Sequence, residues 1–408
     1  MSSLNIQKIR NDFPQLDGSG YHYLDSSATS LTPRIVLDSV IEYYTHNRAS
    51  VHRALFAEAV RATDLYEEAR KKVAHFIGAD SPDEVIFTSG ATESSNMIAR
   101  MLEEHFRLEE EEKEIVTTEM EHHGSLIPLQ ELAERNSFFL KHIPLQGFGL
   151  DYAVAEQLIT DKTAVVSVML ASNVTGIVND VRRIADIAHK HGAIMIVDAT
   201  AAAGHIPVDV KAFDCDVVYF SGHKMFAPTG VGVLWVRRAL LEKFKPVSFG
   251  GHMIANVEKG KSKWAPIPER FEPGTKNIAG VIGLGAAIDY LNMLGVANIH
   301  EYIEELTAYT IAQLEAIPGV TVFAEHDVTK NIGIVSFVCD FAHPHDVAEV
   351  LGRERVAVRP GHHCAIPYIT ALGVPATTRA SLHVYNTKED VDALVVGVEK
   401  ARKLFAPE

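Results

Sequence analysis

The stretch Tyr219-Phe220-Ser221-Gly222-His223-Lys224 runs from an apolar strand pattern straight into a hydroxyl, a glycine, an imidazole and a lysine. A lysine amine in that company can form a Schiff base with a carbonyl, although a solvated loop lysine has the same spelling. Ser221 and His223 carry hydrogen-bond donors suited to a phosphate, and Gly222 permits close backbone approach. One strand earlier, Ile194-Met195-Ile196-Val197 ends on Asp198, a carboxylate at the tip of a run too apolar for a free charge. Buried and unpaired it would be costly, so it calls for a cationic partner unless it serves only as a turn or cap. A protonated ring nitrogen is such a partner: at about 4 Å the attraction is roughly 4 kcal/mol at an effective dielectric of about 20. Thr88-Ser89-Gly90-Ala91-Thr92-Glu93 joins a strand to a helix, where N–H groups and the positive dipole end favour phosphate. Thr92 could equally cap that helix.

A thiol and an arginine extend the set. Cys364 closes Val358-Arg359-Pro360-Gly361-His362-His363-Cys364, in which Pro360 and Gly361 mark a loop. Neighbouring cations favour the nucleophilic thiolate. Cys215 and Cys339 fall in or beside strand patterns and read as packing residues. Arg379, in Thr378-Arg379-Ala380-Ser381, offers a bidentate clamp for a substrate carboxylate, with a surface salt bridge as the alternative. His122, in Glu119-Met120-Glu121-His122-His123, could lie flat on a cofactor ring. No Cys-rich or carboxylate-rich set accompanies the two histidines, so no metal site is expected. In a pyridoxal enzyme the partner of Asp198 is the pyridinium nitrogen, kept protonated so that the ring acts as an electron sink.

These residues need a scaffold that brings distant segments together. Short apolar runs at 84–88, 114–117, 164–170, 193–197 and 217–221 read as buried strands. Stretches of helical period, such as 92–106 and 181–191, lie between them. That alternation predicts an α/β fold with a mostly parallel sheet flanked by helices, and ligands beyond the carboxyl ends of its strands. After about residue 290 a long helix over 299–317 precedes strand patterns at 319–323, 332–338, 356–358 and 380–384, then a helix over 389–404. The expected division is a large domain over 20–290 and a smaller α+β domain from 1–19 and 291–408 that carries the Cys364 loop. Gly280-Val281-Ile282-Gly283-Leu284-Gly285 has the wrong spacing for a dinucleotide fingerprint and reads as helix packing. The acidic run from Glu109 to Glu112 reads as a solvated helix face.

The 408 residues carry a formal net charge of −15, which argues against nucleic acid or an anionic membrane as default partners. The polar first 15 residues do not read as a secretory signal, and no apolar run approaches the ~20 residues that cross a bilayer. Three scattered cysteines make no disulfide framework, so a cytoplasmic setting is expected.

Taken in order, these segments resemble the cysteine desulfurases of the class V aminotransferase group. The nearest likeness is the SufS-like branch, which also contains selenocysteine lyases and cysteine sulfinate desulfinases. The likeness runs through Tyr23-Leu24-Asp25-Ser26, Val51-His52-Arg53, Glu121-His122-His123, Ser172-Asn173-Val174 and Pro207-Val208-Asp209-Val210. It continues through Ser221-Gly222-His223-Lys224, Arg270-Phe271-Glu272, Gly274-Thr275, Gly361-His362-His363-Cys364, Arg379-Ala380-Ser381-Leu382 and Tyr385-Asn386-Thr387. The Arg-x-Gly-His-His-Cys loop is the most specific of these.

The resemblance implies a fold type I, pyridoxal 5′-phosphate-dependent enzyme that turns L-cysteine into L-alanine and leaves a persulfide on Cys364 for iron–sulfur cluster assembly. Lys224 would carry the cofactor and move protons, Asp198 would pair with the ring nitrogen, and His122 would stack on the ring. Asn173 would bond the phenolic oxygen, and Thr92, Ser221 and His223 the phosphate, with Thr275 reaching across from a second subunit. Arg379 would hold the substrate carboxylate near Asn173, helped by Arg359, His362 and His52. A homodimer and a SufE-like or SufU-like sulfur acceptor are the implied partners. Departures from the family pattern are Asp198-Ala199-Thr200-Ala201, where Asp-Gly-Ala-Gln is usual, Ser94 in place of glycine and Ala54 after His-Arg. The lost glutamine removes a hydrogen bond worth about 1 kcal/mol. Selenocysteine lyase or cysteine sulfinate desulfinase are the alternatives within the fold, and a non-catalytic cofactor-binding scaffold is the alternative outside catalysis.

Overall fold

The computed structural model describes residues 4–107 and 112–405. Its larger sheet contains β1 (Val85–Thr88), β2 (Glu114–Thr118), β3 (Phe139–Ile143), β4 (Thr163–Met169), β5 (Ile194–Asp198), β6 (Val217–Ser221) and β7 (Gly232–Val236). Their spatial order is β1-β7-β6-β5-β4-β2-β3. Strand β7 runs antiparallel to both its neighbours, and every other pairing is parallel. Residues of β4, β6 and β7 are buried throughout, which is why they spell continuous apolar runs: helices cover both faces and leave no solvated side.

The helices follow from apolar period and caps. They include α1 (Arg34–His46), α2 (Ala57–Phe76), α3 (Ala91–Phe106), α4 (His123–Asn136) and α5 (Val181–Lys190). Asp180 caps α5 by accepting from the Arg183 N–H at 3.0 Å, and the apolar face of that helix buries Ile184, Ile187 and Ala188. Helix α6 (Ile278–Leu294) is apolar nearly all round and lies between α1, α2 and the interior. Its Gly283 is a packing residue, since a Cβ there would meet Pro228 at 2.7 Å.

Beyond it come α7 (Val296–Glu315), α8 (Pro344–Arg353) and α9 (Lys388–Phe405). They pack on an antiparallel sheet of β8 (Val320–Phe323), β9 (Ile334–Cys339), β10 (Arg359–Gly361) and β11 (Thr377–Ser381), in the order β8-β9-β11-β10. A separate apolar core of Leu314, Val335, Phe337, Leu351, Leu394 and Val398 holds this layer together. Near the N-terminus, Phe13 makes edge contacts with Phe226, Tyr290 and Tyr385, tying the first residues to both regions.

Several expectations change in detail. Arg359–Gly361 is an edge strand rather than loop, because an edge tolerates Pro360, which has no N–H to donate. Val356–Ala357 leaves the antiparallel sheet and pairs in parallel with His22–Tyr23. The last strand begins earlier, at Thr377, and ends at Ser381. Strands β3 and β7 carry no sequence expectation at all. In the acidic run, Glu109, Glu110 and Glu111 lie outside the described residues.

Candidate active site

Five segments deliver side chains to one place beyond the carboxyl ends of the parallel strands, as expected where a ligand binds an open α/β sheet. They are the β1–α3 turn, the β2–α4 turn, the loop after β4, the end of β5 and the turn after β6. The antiparallel sheet closes over them with β10, β11 and the segment after β10. Between them lies a cavity of about 240 Å³. Thr92, His122, Asn173, Asp198, Ser221, His223, Lys224, Arg359, Cys364 and Arg379, each named from sequence, all line it.

Asp198 is buried at the tip of β5, and its Oδ1 accepts the Thr200 N–H at 2.8 Å. Burial pushes its carboxyl above the usual range, an effect opposed by Thr200 and by the charge of Lys224. Lys224 sits in the short turn after β6, half-buried, and lines the cavity. Burial first, and then the Arg379 charge, bring its amine down to about 8. His122 caps α4 through Nδ1, which accepts the Gly124 N–H at 2.9 Å, so its proton rests on Nε2. Burial and Lys224 bring the ring down to about 4, so it is neutral at pH 7.

At the phosphate end, the backbone at Gly90 opens α3 without a side-chain cap, and the Ala91 N–H donates to Ser221 Oγ at 2.7 Å. Ser221 therefore ties the helix terminus to the end of β6. Gly222 has a different job from the one its position suggested: a Cβ there would meet Val231 at 2.9 Å and Ala227 at 3.0 Å, so it packs the turn.

The cysteine loop is held under constraint. His363 and Cys364 both adopt left-handed φ, at 54° and 56°, where non-glycine residues are uncommon and strained. The conformation is fixed from outside: His123 N–H donates to the Cys364 carbonyl at 2.7 Å, and Asn173 Nδ2 donates to the His363 carbonyl at 2.7 Å. His363 bonds Thr377 Oγ1 through Nε2 at 2.8 Å. The result is an exposed Cys364 at the mouth of the cavity.

The residues fit pyridoxal 5′-phosphate. Asn173 Oδ1, Thr200 Oγ1, His363 Nδ1 and Arg379 Nε are buried polar atoms with no partner among the described residues, and all four belong to residues that line the cavity. Buried polar groups are normally satisfied, so an orphaned set around one hollow marks a polar ligand's place. Asp198 would pair with the ring nitrogen, His122 would support the ring, Lys224 would take the carbonyl carbon, and the α3 terminus would hold the phosphate.

Three named residues stand elsewhere. Thr275 lies in an adjoining cavity with Ser89 and Glu93. His52 bonds Glu67 through Nε2 at 2.9 Å. His362 is exposed and does not line the cavity, whereas its neighbour His363 does. Sequence reasoning assigned no role to Asp25, which bonds both cavity arginines, or to Glu121. Glu121 is buried, accepts from Thr118 Oγ1 and the Met169 N–H at 2.9 Å each, and is pushed up to about 8 by burial and by Asp198. An acidic residue within an apolar or strand-end stretch is the one signal that marked either.

Comparison with known proteins agrees with this geometry. The class-V aminotransferase family model matches residues 22–394. A probable cysteine desulfurase of Streptomyces coelicolor is 46% identical, covering 98% of each chain, and one of Halalkalibacterium halodurans is 45% identical over 98% of this chain and 99% of its own. Among solved structures, the apo cysteine desulfurase of Thermococcus onnurineus superposes with a TM-score of 0.94 at 39% identity, over 99% of this chain and 100% of that one. The Escherichia coli cysteine desulfurase CsdA, in S-sulfonic acid form, gives 0.92 at 36% with the same coverage. By sequence, fold and site together, the chain belongs to the class-V aminotransferase family.

Proposed function

We propose that this chain is a pyridoxal 5′-phosphate-dependent L-cysteine desulfurase that releases L-alanine and leaves the sulfur as a persulfide on Cys364. The observation that carries this reading is the placement of an accessible thiol at the mouth of the cavity that holds Lys224 and Asp198. The relatives named cysteine desulfurase support it. When bound, the cofactor supplies an electron sink that weakens the Cα–H and Cβ–S bonds of a bound amino acid. Asp198 keeps a ring nitrogen protonated, and the neutral His122 ring supports one ring face. Arg379 takes the α-carboxylate through Nε, which has no partner among the described residues, and so fixes the rest of the substrate in the cavity. Lys224 Nζ, with a pKa near neutrality, is suited to take a proton from Cα and return one. Cys364 Sγ attacks the substrate sulfur: the S–S bond forms, the Cβ–S bond breaks, and the electron pair stays with the carbon fragment, which is protonated to alanine.

Cys364 is exposed, so an acceptor thiol of a SufE-like or SufU-like protein can reach it, and iron–sulfur assembly would be the destination of the sulfur. A homodimer is supported by exposed Ile35, Ile41, Tyr44, Leu55, Phe56 and Val60 within one stretch of chain, and by Thr275 standing outside its own chain's cavity. Sedimentation at micromolar concentration would show two chains per particle if so. A cytoplasmic setting is proposed on the acidic charge and three free thiols, and fractionation of the source cells tests it.

The decisive experiment incubates the cofactor-loaded protein with L-cysteine and measures alanine by chromatography and persulfide on Cys364 by mass spectrometry. Cys364→Ser should abolish both products, and Lys224→Ala should abolish turnover and the yellow colour. Undiminished cysteine turnover by Cys364→Ser would overturn the persulfide mechanism.

A further inference from the structure

Two histidines stand side by side at the start of α4, and only the first, His122, lines the cavity. His123 turns to the cysteine loop and meets it twice. Its backbone N–H donates to the Cys364 carbonyl at 2.7 Å, and its Nε2 accepts the Ile366 N–H at 3.1 Å. The second contact answers a local need. Ile366 is the first residue of a short helix, Ile366–Ala371, whose start has no side-chain cap, and Pro367 has no N–H to offer. The first N–H of a helix lacks an internal partner, and here an imidazole from another element supplies the acceptor. One residue thus fastens the chain at 364 and again at 366. The fastening matters because His363 and Cys364 hold successive left-handed conformations, which persist only where the surroundings over-determine them. Asn173 and Thr377 fix the loop at His363, before the cysteine, and His123 fixes it at the cysteine and after it.

We infer that His123 is a positioning residue for the nucleophilic thiol: its backbone N–H and its neutral imidazole hold the loop on both sides of Cys364, and protonation of the ring releases one of the two holds. To accept from Ile366, Nε2 must be unprotonated, so the neutral ring carries its proton on Nδ1. A protonated ring would set one N–H against another. Burial and then the charge of His362 keep the ring below its ordinary value, so the hold is present at pH 7 and is lost as the solution is acidified. The other titratable groups around it are Cys364 on the loop, with His122 and His363, which burial keeps neutral at about 4 and about 2. Tyr368, on the short helix, is buried and engages Thr175 and the Phe148 carbonyl through its hydroxyl. The inference rests on the desulfurase reading only for what the positioned thiol attacks.

Hydrogen exchange of the cofactor-loaded full chain, read by mass spectrometry on peptides spanning 362–368, tests the contact without any need for turnover. In the parent protein, protection of these amides, corrected for intrinsic rate and read against strand β4, should fall severalfold between pH 8 and pH 5. His123→Ala should show the low protection at both ends of that range. His123→Gln places an amide oxygen near the position of Nε2 and cannot titrate, so its protection should stay close to the parent's pH 8 level throughout. Steady-state alanine release at pH 8 gives the second reading. His123→Ala should lower kcat at least about tenfold with KM little changed, and His123→Gln should recover most of the loss. Parent exchange that ignores pH, a His123→Ala protein as protected as the parent, or a glutamine variant with the parent's pH dependence each overturns the inference. An unchanged kcat in His123→Ala overturns it as well. Should His123→Ala fail to take up cofactor, the parent's pH series and the glutamine variant still decide. A parent protein that made no alanine from cysteine would sink the desulfurase reading, whereas the exchange result would stand or fall by itself.

Discussion

At the scale of single residues, the site works because burial moves proton affinities toward neutrality. An exposed lysine is almost wholly protonated at pH 7 and cannot attack a carbonyl. Lys224, brought down to about 8 by burial and by Arg379, has a useful neutral fraction. Capture of pyridoxal phosphate by the apoprotein should therefore quicken with pH and level off above about 8, as followed by the growth of visible absorbance. Arg379→Gln removes a repelling charge and should shift that midpoint upward. A midpoint at the ordinary lysine value in the parent protein would mean that the enclosure does not act on the amine. His122, already neutral, should leave no titration of its own between pH 6 and 8 in the same experiment.

At the scale of elements, two close approaches hold the phosphate end of the site. A Cβ on Gly232, in β7, would meet the Gly90 Cα at 2.5 Å and its N at 2.8 Å, and a backbone obstacle cannot swing aside as a side chain can. Gly232→Ala should push the β1–α3 turn out of place and weaken cofactor affinity at least tenfold, about 1.4 kcal/mol, measured by equilibrium dialysis. Behind the same turn, the buried Glu272 accepts from the buried Arg70 Nη1 at 2.7 Å and Tyr66 Oη at 3.1 Å, and from the partly buried Phe87 N–H at 2.8 Å. Removing one partner of such a pair strands a charge in the interior. Glu272→Gln should cost roughly 3–5 kcal/mol in urea unfolding, far more than loss of a surface pair. Strands β4, β5 and β6 were legible in the sequence because burial on both faces demands unbroken apolar runs, and the residues at their ends were legible because a charge there has no cheap explanation. Strands β3 and β10 were not: Phe139 is exposed on an edge, and Pro360 spells a turn unless its edge position is known. Asp25 was missed for a related reason. Its role exists only once parallel pairing of the N-terminal segment brings it beside β11, a register that no local pattern encodes.

At the scale of the whole molecule, the join between the two sheets contains imidazoles that solvent does not reach. His205, from the segment after β5, and His383, just past β11, pack with ring centroids 4.2 Å apart and planes tilted by 40°, and Phe226 packs on the second ring at 4.3 Å. His383 Nδ1 accepts the Val384 N–H at 2.8 Å, while His205 Nδ1 and His383 Nε2 have no partner among the described residues. Both rings are held neutral: burial brings His205 down to about 3, and His383 lies well below its ordinary value for the same reason. In the unfolded chain each titrates near 6.5. Between pH 6.5 and about 3 the unfolded state therefore binds protons that the folded state refuses, so stability is greatest above 6.5 and falls as the solution is acidified. At pH 5 the His205 ring should remove roughly 2 kcal/mol, and His383 acts in the same direction. His383→Phe keeps an aromatic ring against Phe226 and deletes one titrating group. It should lower stability at pH 8, where the Val384 N–H loses its acceptor, and yet flatten the decline between pH 7 and 5. Urea unfolding at a series of pH values reads both effects, and a decline as steep as the parent's would show that acid acts through other groups than this pair.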